Sequence, residues 1–241
     1  MSFSTDVSLN VISPEQGLRE ESLLLEKVAN NELTSGYKIW RCHSSIVVPR
    51  SLSQKEGFDH AADALSRLGW PVVVRQTGGD LVPQSPGSLN VTLVFKRQKD
   101  KGSIADTYLA LCLPIINALA QMGINARCEA IPGSFCDGDY NLVVGGKKLA
   151  GTAQRWRRVK STDNKNEFAV LVHAVILCSG DLQERWRVTN AFYTHCGIDK
   201  RIEFSKHTSV SQLKTSVAIS DEERLQELTK KISHELNITI M

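Results

Sequence analysis

Apolar residues recur along the chain at two spacings, and the switches between them outline the elements. Leu18, Leu25 and Val28 follow helical spacing behind Ser13-Pro14-Glu15-Gln16, a capping box with proline at the first helical position. A strand pair follows at 37–41 and 45–48. Ser53-Gln54-Lys55-Glu56 reads as a second capping box. Behind it Phe58, Ala61, Ala62, Leu65 and Leu68 share a helical face that Gly69 closes. Residues 71–75 form a short β-branched strand, 77–88 a Gly/Pro-rich loop, and 89–95 the next strand. Tyr108, Leu111, Cys112, Ile115, Leu119 and Met122 line one face of a helix over about 103–123, and Pro114 should kink it or mark a boundary. Residues 140–144 and 147–155 predict a hairpin, because Gly145-Gly146 suits the positive φ angles of a two-residue turn. A long buried strand at 168–178 and a helix at 181–192 come next. The tail from Ser220, with Glu223 completing a capping box, puts Leu225, Leu228, Ile232 and Leu236 on one face.

Helices and strands are mixed, with hairpins in place of strict βαβ alternation. The fold class is therefore α+β, with a mixed or mainly antiparallel sheet and helices packed on it. No repeat, low-complexity tract or linker divides the 241 residues. They read as one domain over 1–241, with a core from about 15 to 215 and a final helix at about 220–236. A chain of this length can bury about 70% of its unfolded surface and needs neither disulfide nor structural metal. The net charge of +3 is weak and dispersed, which argues against nucleic acid. No run of 18 apolar residues and no basic-then-apolar leader occurs, so the expectation is a cytoplasmic protein with no membrane segment. The six cysteines form no Cys-x-x-Cys pair, so no metal is expected, and most should be small buried hydrophobes.

Four segments could carry chemistry. Arg75-Gln76-Thr77-Gly78-Gly79-Asp80 joins a strand to a polar loop, where glycines let a ligand approach the backbone and an arginine could bind a carboxylate or phosphate. Such a turn can equally be structural. In 145–155, alternation puts Lys148, Ala150, Thr152 and Gln154 on one face, and the small residues at 150–153 leave room for a ligand beside the lysine. The alternative is a solvated hairpin lysine. In Gly133-Ser134-Phe135-Cys136-Asp137-Gly138-Asp139-Tyr140 a thiol sits in a polar loop, where it is available to react. Asp137 and Asp139 disfavour its thiolate unless a cation compensates, and Lys148 is the candidate cation. His173, inside the strand at 171–175, is either a hydrogen-bonded core histidine or a ligand contact.

Taken in order, these blocks resemble the lipoate–protein ligase, octanoyltransferase and biotin–protein ligase superfamily. Arg75-Gln76-Thr77-Gly78-Gly79 resembles its R-x-[ST]-G-G loop, and Gly87-Ser88-Leu89-Asn90-Val91-Thr92 its G-x-x-N-x-[ST] strand. Lys148-Leu149-Ala150-Gly151-Thr152-Ala153-Gln154 resembles the block that holds the family's essential lysine, at Lys148. The strand around His173 resembles H-G-T-L-L. The resemblance covers roughly residues 20–215 and implies a class II aminoacyl-tRNA synthetase/biotin ligase-like fold. It also implies an acyl- or lipoyl-binding set of Arg75, Thr77, Gly78, Gly79, Asn90, Gly151, Thr152, Ala153 and His173. Residues 133–142 resemble the G-S-[YF]-C-x-G-x-[YF]-[DN]-L segment of octanoyl-[glycine cleavage H protein] amidotransferases, whose cysteine carries the octanoyl group. That implies Cys136 as nucleophile. Thr194-His195-Cys196-Gly197, with Thr208-Ser209 downstream, faintly resembles the nucleophile region of octanoyl-carrier-protein transferases, so Cys196 is the rival.

Three departures bear on the choice. Asp80 stands where ligases have a third glycine, and Val82-Pro83-Gln84 lacks their histidine. A carboxylate beside a pyrophosphate is repulsive, which argues against ATP. Ala174 replaces the glycine after the histidine, and the expectation is a chain without the accessory domain of many ligases. The resemblance then implies a protein acyltransferase. A cysteine takes an octanoyl or lipoyl group from a thioester or amide donor and passes it to a lysine of a lipoyl domain. The acceptors would be H protein or the E2 subunits of 2-oxoacid dehydrogenases, and acyl carrier protein a donor. No cofactor is required in this scheme; ATP and Mg would be needed only by a ligase. Leu81, Val91, Val143 and Leu149 are expected to wall the acyl chain. An ATP-dependent lipoate ligase and a non-catalytic acyl- or lipoyl-domain-binding module are the alternatives.

Overall fold

The computed structural model describes residues 2–98, 103–160, 166–214 and 219–240. In chain order the first half runs β1 (Phe3–Ile12), α1 (Pro14–Ala29), β2 (Ser35–Cys42), β3 (Ser45–Pro49), α2 (Arg50–Ser53), α3 (Phe58–Arg67), β4 (Val72–Arg75), β5 (Val82–Gln84) and β6 (Ser88–Gln98). The second half runs α4 (Ile104–Gln121), β7 (Arg127–Cys128), β8 (Leu142–Val144), β9 (Lys147–Arg158), β10 (Glu167–Leu177), α5 (Leu182–His195), α6 (Val210–Leu213) and α7 (Asp221–Ile240). Seven strands form one sheet in the order β1-β2-β6-β10-β9-β8-β7, antiparallel except for β1 on β2. β4, β3 and β5 form a second, three-stranded sheet. The fold is α+β, as the mixed pattern predicts.

The large sheet separates two apolar layers. On one face, Ile39, Val91, Leu93, Val172 and Ile176 pack under α4 and α7, which bring Leu111, Ile115 and Leu119 and Leu225, Leu228, Ile232 and Leu236. The reciprocal Ser220–Glu223 cap starts α7 where the sequence places it. α4 runs unbroken through Pro114, so the proline marks no boundary. By length and composition α4 is apolar enough to cross a membrane, but it carries Asp106, Asn117 and Gln121 and buries Leu111, Ile115 and Leu119 in the core. On the opposite face α1 packs Leu24, Leu25 and Val28 against Val94, Ala169 and Leu171. α3 and α5 cover the small sheet.

The sequence expectations depart from the structure in four places. The strands at 37–41 and 45–48 do not pair with each other; β2 joins the large sheet and β3 the centre of the small one. Ile46, Val47 and Val48 are all buried, and an edge hairpin leaves one face to water. Ser53 caps no helix start: it ends α2, donating to the Arg50 carbonyl at 2.9 Å, and α3 begins at Gly57 without a side-chain cap. β1, at the sheet edge, was not expected, although Phe3, Val7, Leu9 and Val11 alternate with Ser4, Asp6, Ser8 and Asn10; none of its residues is fully buried. Finally, the alternation of β9 breaks at its start, where the register against β8 shifts. Leu149 and Ala150 both enter the core, and the Lys148 amine lies over Gly151 instead of sharing a face with Ala150. The Gly145-Gly146 turn has the expected positive φ at both positions, 57° and 74°.

Candidate active site

The face of the large sheet opposite α4 and α7 looks toward the small sheet where α1 leaves it uncovered. Paired positions on β6, β10 and β9 bring Thr92, His173 and Ala153 side by side, with Asn90, Val175 and Gly151 in the next row. Over this face runs the loop between β7 and β8. Its Cys136 is 8% exposed and holds φ at 47°, the left-handed region that a residue with a Cβ rarely occupies. The Sγ accepts the Asp80 backbone N–H at 3.2 Å and lies 3.8 Å from Arg75 Nη2. Val82 and Val175 pack against it.

The Gly78-Gly79 turn is shaped by the same arginine. Arg75 Nη2 donates to the Gly78 carbonyl at 2.9 Å and the Asp80 carbonyl at 2.8 Å, which bends the loop over the sulfur. Gly79 sits at φ +99°, and a Cβ there would lie 2.8 Å from the Cys136 sulfur. Arg75 Nη2 thus holds the loop, while its Nε is buried without a partner among the described residues and the side chain lines the smaller cavity. Asp80 Oδ1 takes the Leu81 N–H at 2.7 Å, and its other oxygen pairs with Lys200.

Lys148 is fully buried. Its amine donates to the Phe135 carbonyl and, at 2.7 Å, to the Cys136 carbonyl, and it lies 5.4 Å from the centre of the Phe135 ring. Burial pulls its pKa down to about 8, against the opposing pull of Cys136, Asp137 and Asp80. A Cβ at Gly151 would come within 3.1 Å of this amine, so the small residue makes the lysine's berth. Asp137 does not oppose the thiol directly. Its carboxylate ties the loop together, accepting from Ile131 N at 2.8 Å and Asn141 Nδ2 at 2.9 Å.

His207 completes this corner and has no precedent in the sequence reading. Its Nε2 accepts the Phe135 N–H at 3.2 Å, its Nδ1 donates to the Glu203 carbonyl at 3.0 Å, and its ring stacks on Phe135 at 4.2 Å. Burial, then the Lys148 charge, holds it neutral, with a pKa near 4. The one signal available was its position beside the Thr208-Ser209 pair already singled out.

A second polar cluster lies deeper. His173 Nε2 is 3.2 Å from Thr77 Oγ1, and its Nδ1 is 3.3 Å from Glu21 Oε2. Glu21 also accepts from Trp40 Nε1 at 3.0 Å and from Thr92. Burial pushes the Glu21 carboxyl up; its contacts with His173, Thr92 and Trp40 outweigh that and leave it below its ordinary value. Glu21 was legible as an oddity, because it occupies the apolar stripe of Leu18, Leu25 and Val28. Asn90 makes a reciprocal amide pair with Gln84, at 2.7 and 3.2 Å, that joins the two sheets, and Thr152 donates to the Tyr140 carbonyl at 2.9 Å. Both serve the frame of the site.

Two cavities lie on either side of the Arg75–Asp80 turn. One of about 210 Å³ lies beside the second cluster, lined by Leu18, Val73, Leu171, Arg75 and Thr77 and by charged side chains including Glu21 and Arg155, among others. The other, about 690 Å³ and more open, is lined by Leu52, Gly79, Asp80, Tyr193, Cys196 and Lys200 among others. Leu81, Val91, Val143 and Leu149, expected as acyl walls, line neither; all four are completely buried in the packed cores. Cys196 ends α5 and faces the open cavity, and burial pushes its thiol up. Its sulfur has none of the donors that converge on Cys136. Among the described residues no cluster of three or more His, Cys, Asp or Glu could hold a metal ion.

The family model of the lipoyl protein ligase A/B catalytic domain matches residues 13–234. The chain belongs to this family. As a lipoyl protein ligase A/B domain it is an acyltransferase, and two relatives show how it sits among the others. It is 36% identical over 219 residues to an uncharacterized protein of Cupriavidus necator, covering 86% of this chain and 85% of that one. It is 30% identical over 209 residues to the octanoyl-[GcvH]:protein N-octanoyltransferase of Kyrpidia tusciae, covering 84% of this chain and 72% of that one. Its fold is that of lipoate-protein ligase A in a structure with bound ATP, at a TM-score of 0.67 and 19% identity, covering 98% of this chain and 86% of the other.

Proposed function

We propose that Cys136 accepts an octanoyl or lipoyl group as a thioester and delivers it to a lysine of a lipoyl domain. The observation that carries this reading is the convergence on its sulfur of a backbone N–H and a guanidinium, on a residue held in a strained conformation. Donors aimed at the sulfur stabilise a thiolate, and a thiolate both attacks and leaves well. Lys148 fixes the loop by its own carbonyls and places a positive charge beside the reacting group. The 210 Å³ cavity receives the acyl chain, where each buried methylene contributes ~0.8 kcal/mol, so chain length is read by depth. Arg75, Thr77, Gly78, Gly79, Gly151, Ala153 and His173 form the surround of that group.

Octanoylated H protein is a proposed donor, because relatives such as the Kyrpidia tusciae enzyme are named for octanoyl-[GcvH] as the source of the group they transfer. Acyl carrier protein is a second proposed donor, and a lipoyl domain, of an E2 subunit or of H protein, the proposed acceptor, all met in the cytoplasm. The reaction as proposed needs no nucleotide. The Asp80 carboxylate lines the open cavity beside the glycine turn, where a polyphosphate would meet its charge.

Intact mass spectrometry after incubation with octanoyl-acyl carrier protein tests the reading. Wild type and Cys196→Ala should gain one octanoyl group and Cys136→Ala none. A group lost only in Cys196→Ala transfers the chemistry to Cys196. Acylation needing lipoate and ATP turns the protein into a ligase, and a Cys136→Ala protein that still serves in the cell turns it into a binding module.

A further inference from the structure

The open cavity carries a group that the first half of the reaction leaves unused. Asp80 touches the thiol through its backbone: its N–H reaches the Cys136 sulfur at 3.2 Å. Its carboxylate points the other way, into the cavity of about 690 Å³, and holds Lys200 there. Gly79, which has no side chain, lines the cavity and lies against the sulfur. The other acid lining the cavity, Asp137, spends Oδ1 on Ile131 N–H and Asn141 of its own loop. Asp80 gives Oδ1 to the Leu81 N–H beside it and Oδ2 to a lysine whose side chain is 37% exposed, and it is this second partner that another cation can replace. An ion pair so placed contributes only about 0–1 kcal/mol, and a second cation can take it over at little cost. The Tyr193 side chain, 1% exposed, backs the same wall.

The acceptor in the proposed reaction is itself a cation. A lysine side chain on a protein surface arrives as an ammonium and leaves as a neutral amide, so it must shed two protons beside the thioester. Resting on the reading of Cys136 as acyl carrier, we propose that the Asp80 carboxylate is the receiving group for the acceptor lysine: it exchanges Lys200 for the incoming ammonium and takes a proton from the attacking nitrogen. The ammonium first loses one proton to water. The amine then adds to the thioester carbonyl, forming the C–N bond. Nitrogen in the adduct is far more acidic than a free ammonium, so a carboxylate suffices to take its second proton. The adduct collapses, the C–S bond breaks, and the sulfur leaves as a thiolate held by the Asp80 N–H and Arg75, while the Asp80 carboxylate gives its proton to water. The sum is thioester plus ammonium giving amide, thiolate and two protons. Asp80 can serve both partners because its amide and its carboxylate sit on opposite sides of one residue.

The test separates the two half-reactions. Wild type, Asp80→Asn and Asp80→Glu are loaded from octanoyl-acyl carrier protein, the acyl-enzymes are isolated, and each is mixed with excess H protein or with hydroxylamine. Asparagine keeps the backbone N–H that faces the sulfur, so loading of Asp80→Asn should fall far less than its transfer does. Its transfer to H protein should fall by roughly 10²-fold or more, and Asp80→Glu should recover part of that loss. Hydroxylamine, neutral at pH 7, needs no cation-binding carboxylate and should release octanohydroxamate from the wild-type and Asp80→Asn acyl-enzymes at equal rates. Lys200→Met should lower KM for H protein, because the ammonium no longer competes. Transfer by Asp80→Asn at the wild-type rate overturns the proposal. So does an equal loss toward H protein and hydroxylamine, which would make Asp80 a support of the thiol alone. Failure of wild type to load at Cys136 removes the underlying reading, and the proposal with it.

Discussion

The backbone N–H of Asp80 points at the sulfur of Cys136 across 3.2 Å, although the two residues lie 56 positions apart on loops from different sheets. The contact exists because the turn between them and Arg75 has no side chain at Gly79. A Cβ at that position would meet the sulfur at 2.8 Å and Arg75 Nη2 at 3.0 Å, at a φ of +99° that disfavours any side chain. Gly79→Ala should therefore abolish acylation of Cys136 and cost about 1–3 kcal/mol of stability. Gly78→Ala, where a Cβ meets nothing within 4 Å, should keep most of the acylation rate. Mass spectrometry of the two variants side by side checks both.

Lys148 makes stability depend on alkaline pH. Its pKa is about 8 in the folded protein against an ordinary 10.5. Between those values the unfolded chain holds the proton that the folded one has released, so stability rises with pH across the window. The gain is on the order of 3 kcal/mol. Denaturant unfolding at pH 8 and pH 10.5 should show this rise in wild type and not in Lys148→Met.

His207 works at the acid end. Its pKa is about 4 when folded and 6.5 ordinarily, so the unfolded chain binds the extra proton in that range. The stabilisation is complete above pH 6.5 and is lost as pH falls toward 4. Protonating Nε2 would also turn the acceptor of the Phe135 N–H into a donor. His207→Gln, which has no titrating group, should lose less stability than wild type between pH 6.5 and pH 4 when melting temperatures are compared.

Glu21 holds three buried donors at once, from Trp40, Thr92 and His173. Glu21→Ala would leave them unpaired beneath the Thr77 side chain. Breaking a buried pair in this way costs about 3–5 kcal/mol. The loss should appear as an equal fall in unfolding free energy in urea. A cost below about 1 kcal/mol would mean that water or a side-chain shift replaces the carboxylate.

Much of this was legible in the sequence where the information is local. The Ser13 and Ser220 caps, the stripe on α7 and the Gly145-Gly146 turn depend on residues a few positions apart, and they stand as read. The loop pairing of Arg75 and Cys136 was legible only as two separate motifs, because neither spacing nor period encodes which sheets will face each other. His207 was invisible for the same reason: its partners, Phe135 and Glu203, are 72 and 4 positions away, and only the first matters to the site. β1 was legible too, in the alternation of Phe3, Val7, Leu9 and Val11 with Ser4, Asp6, Ser8 and Asn10, but its parallel partner β2 lies beyond α1 and no local spacing names it. Asp80 gave its sign, a carboxylate in a phosphate-type loop, but not its two-sided posture.

Lys148 grips main-chain oxygens of Phe135 and Cys136, not their side chains. The posture of the nucleophile loop is thus indifferent to what atom sits at the tip of residue 136. A Cys136→Ala protein should keep the turn, the acyl cavity and the acceptor entrance while losing only the bond-forming sulfur. Such a protein is a decoy: it would dock donor and acceptor without turning over, and so hold still the complexes that the active enzyme passes through.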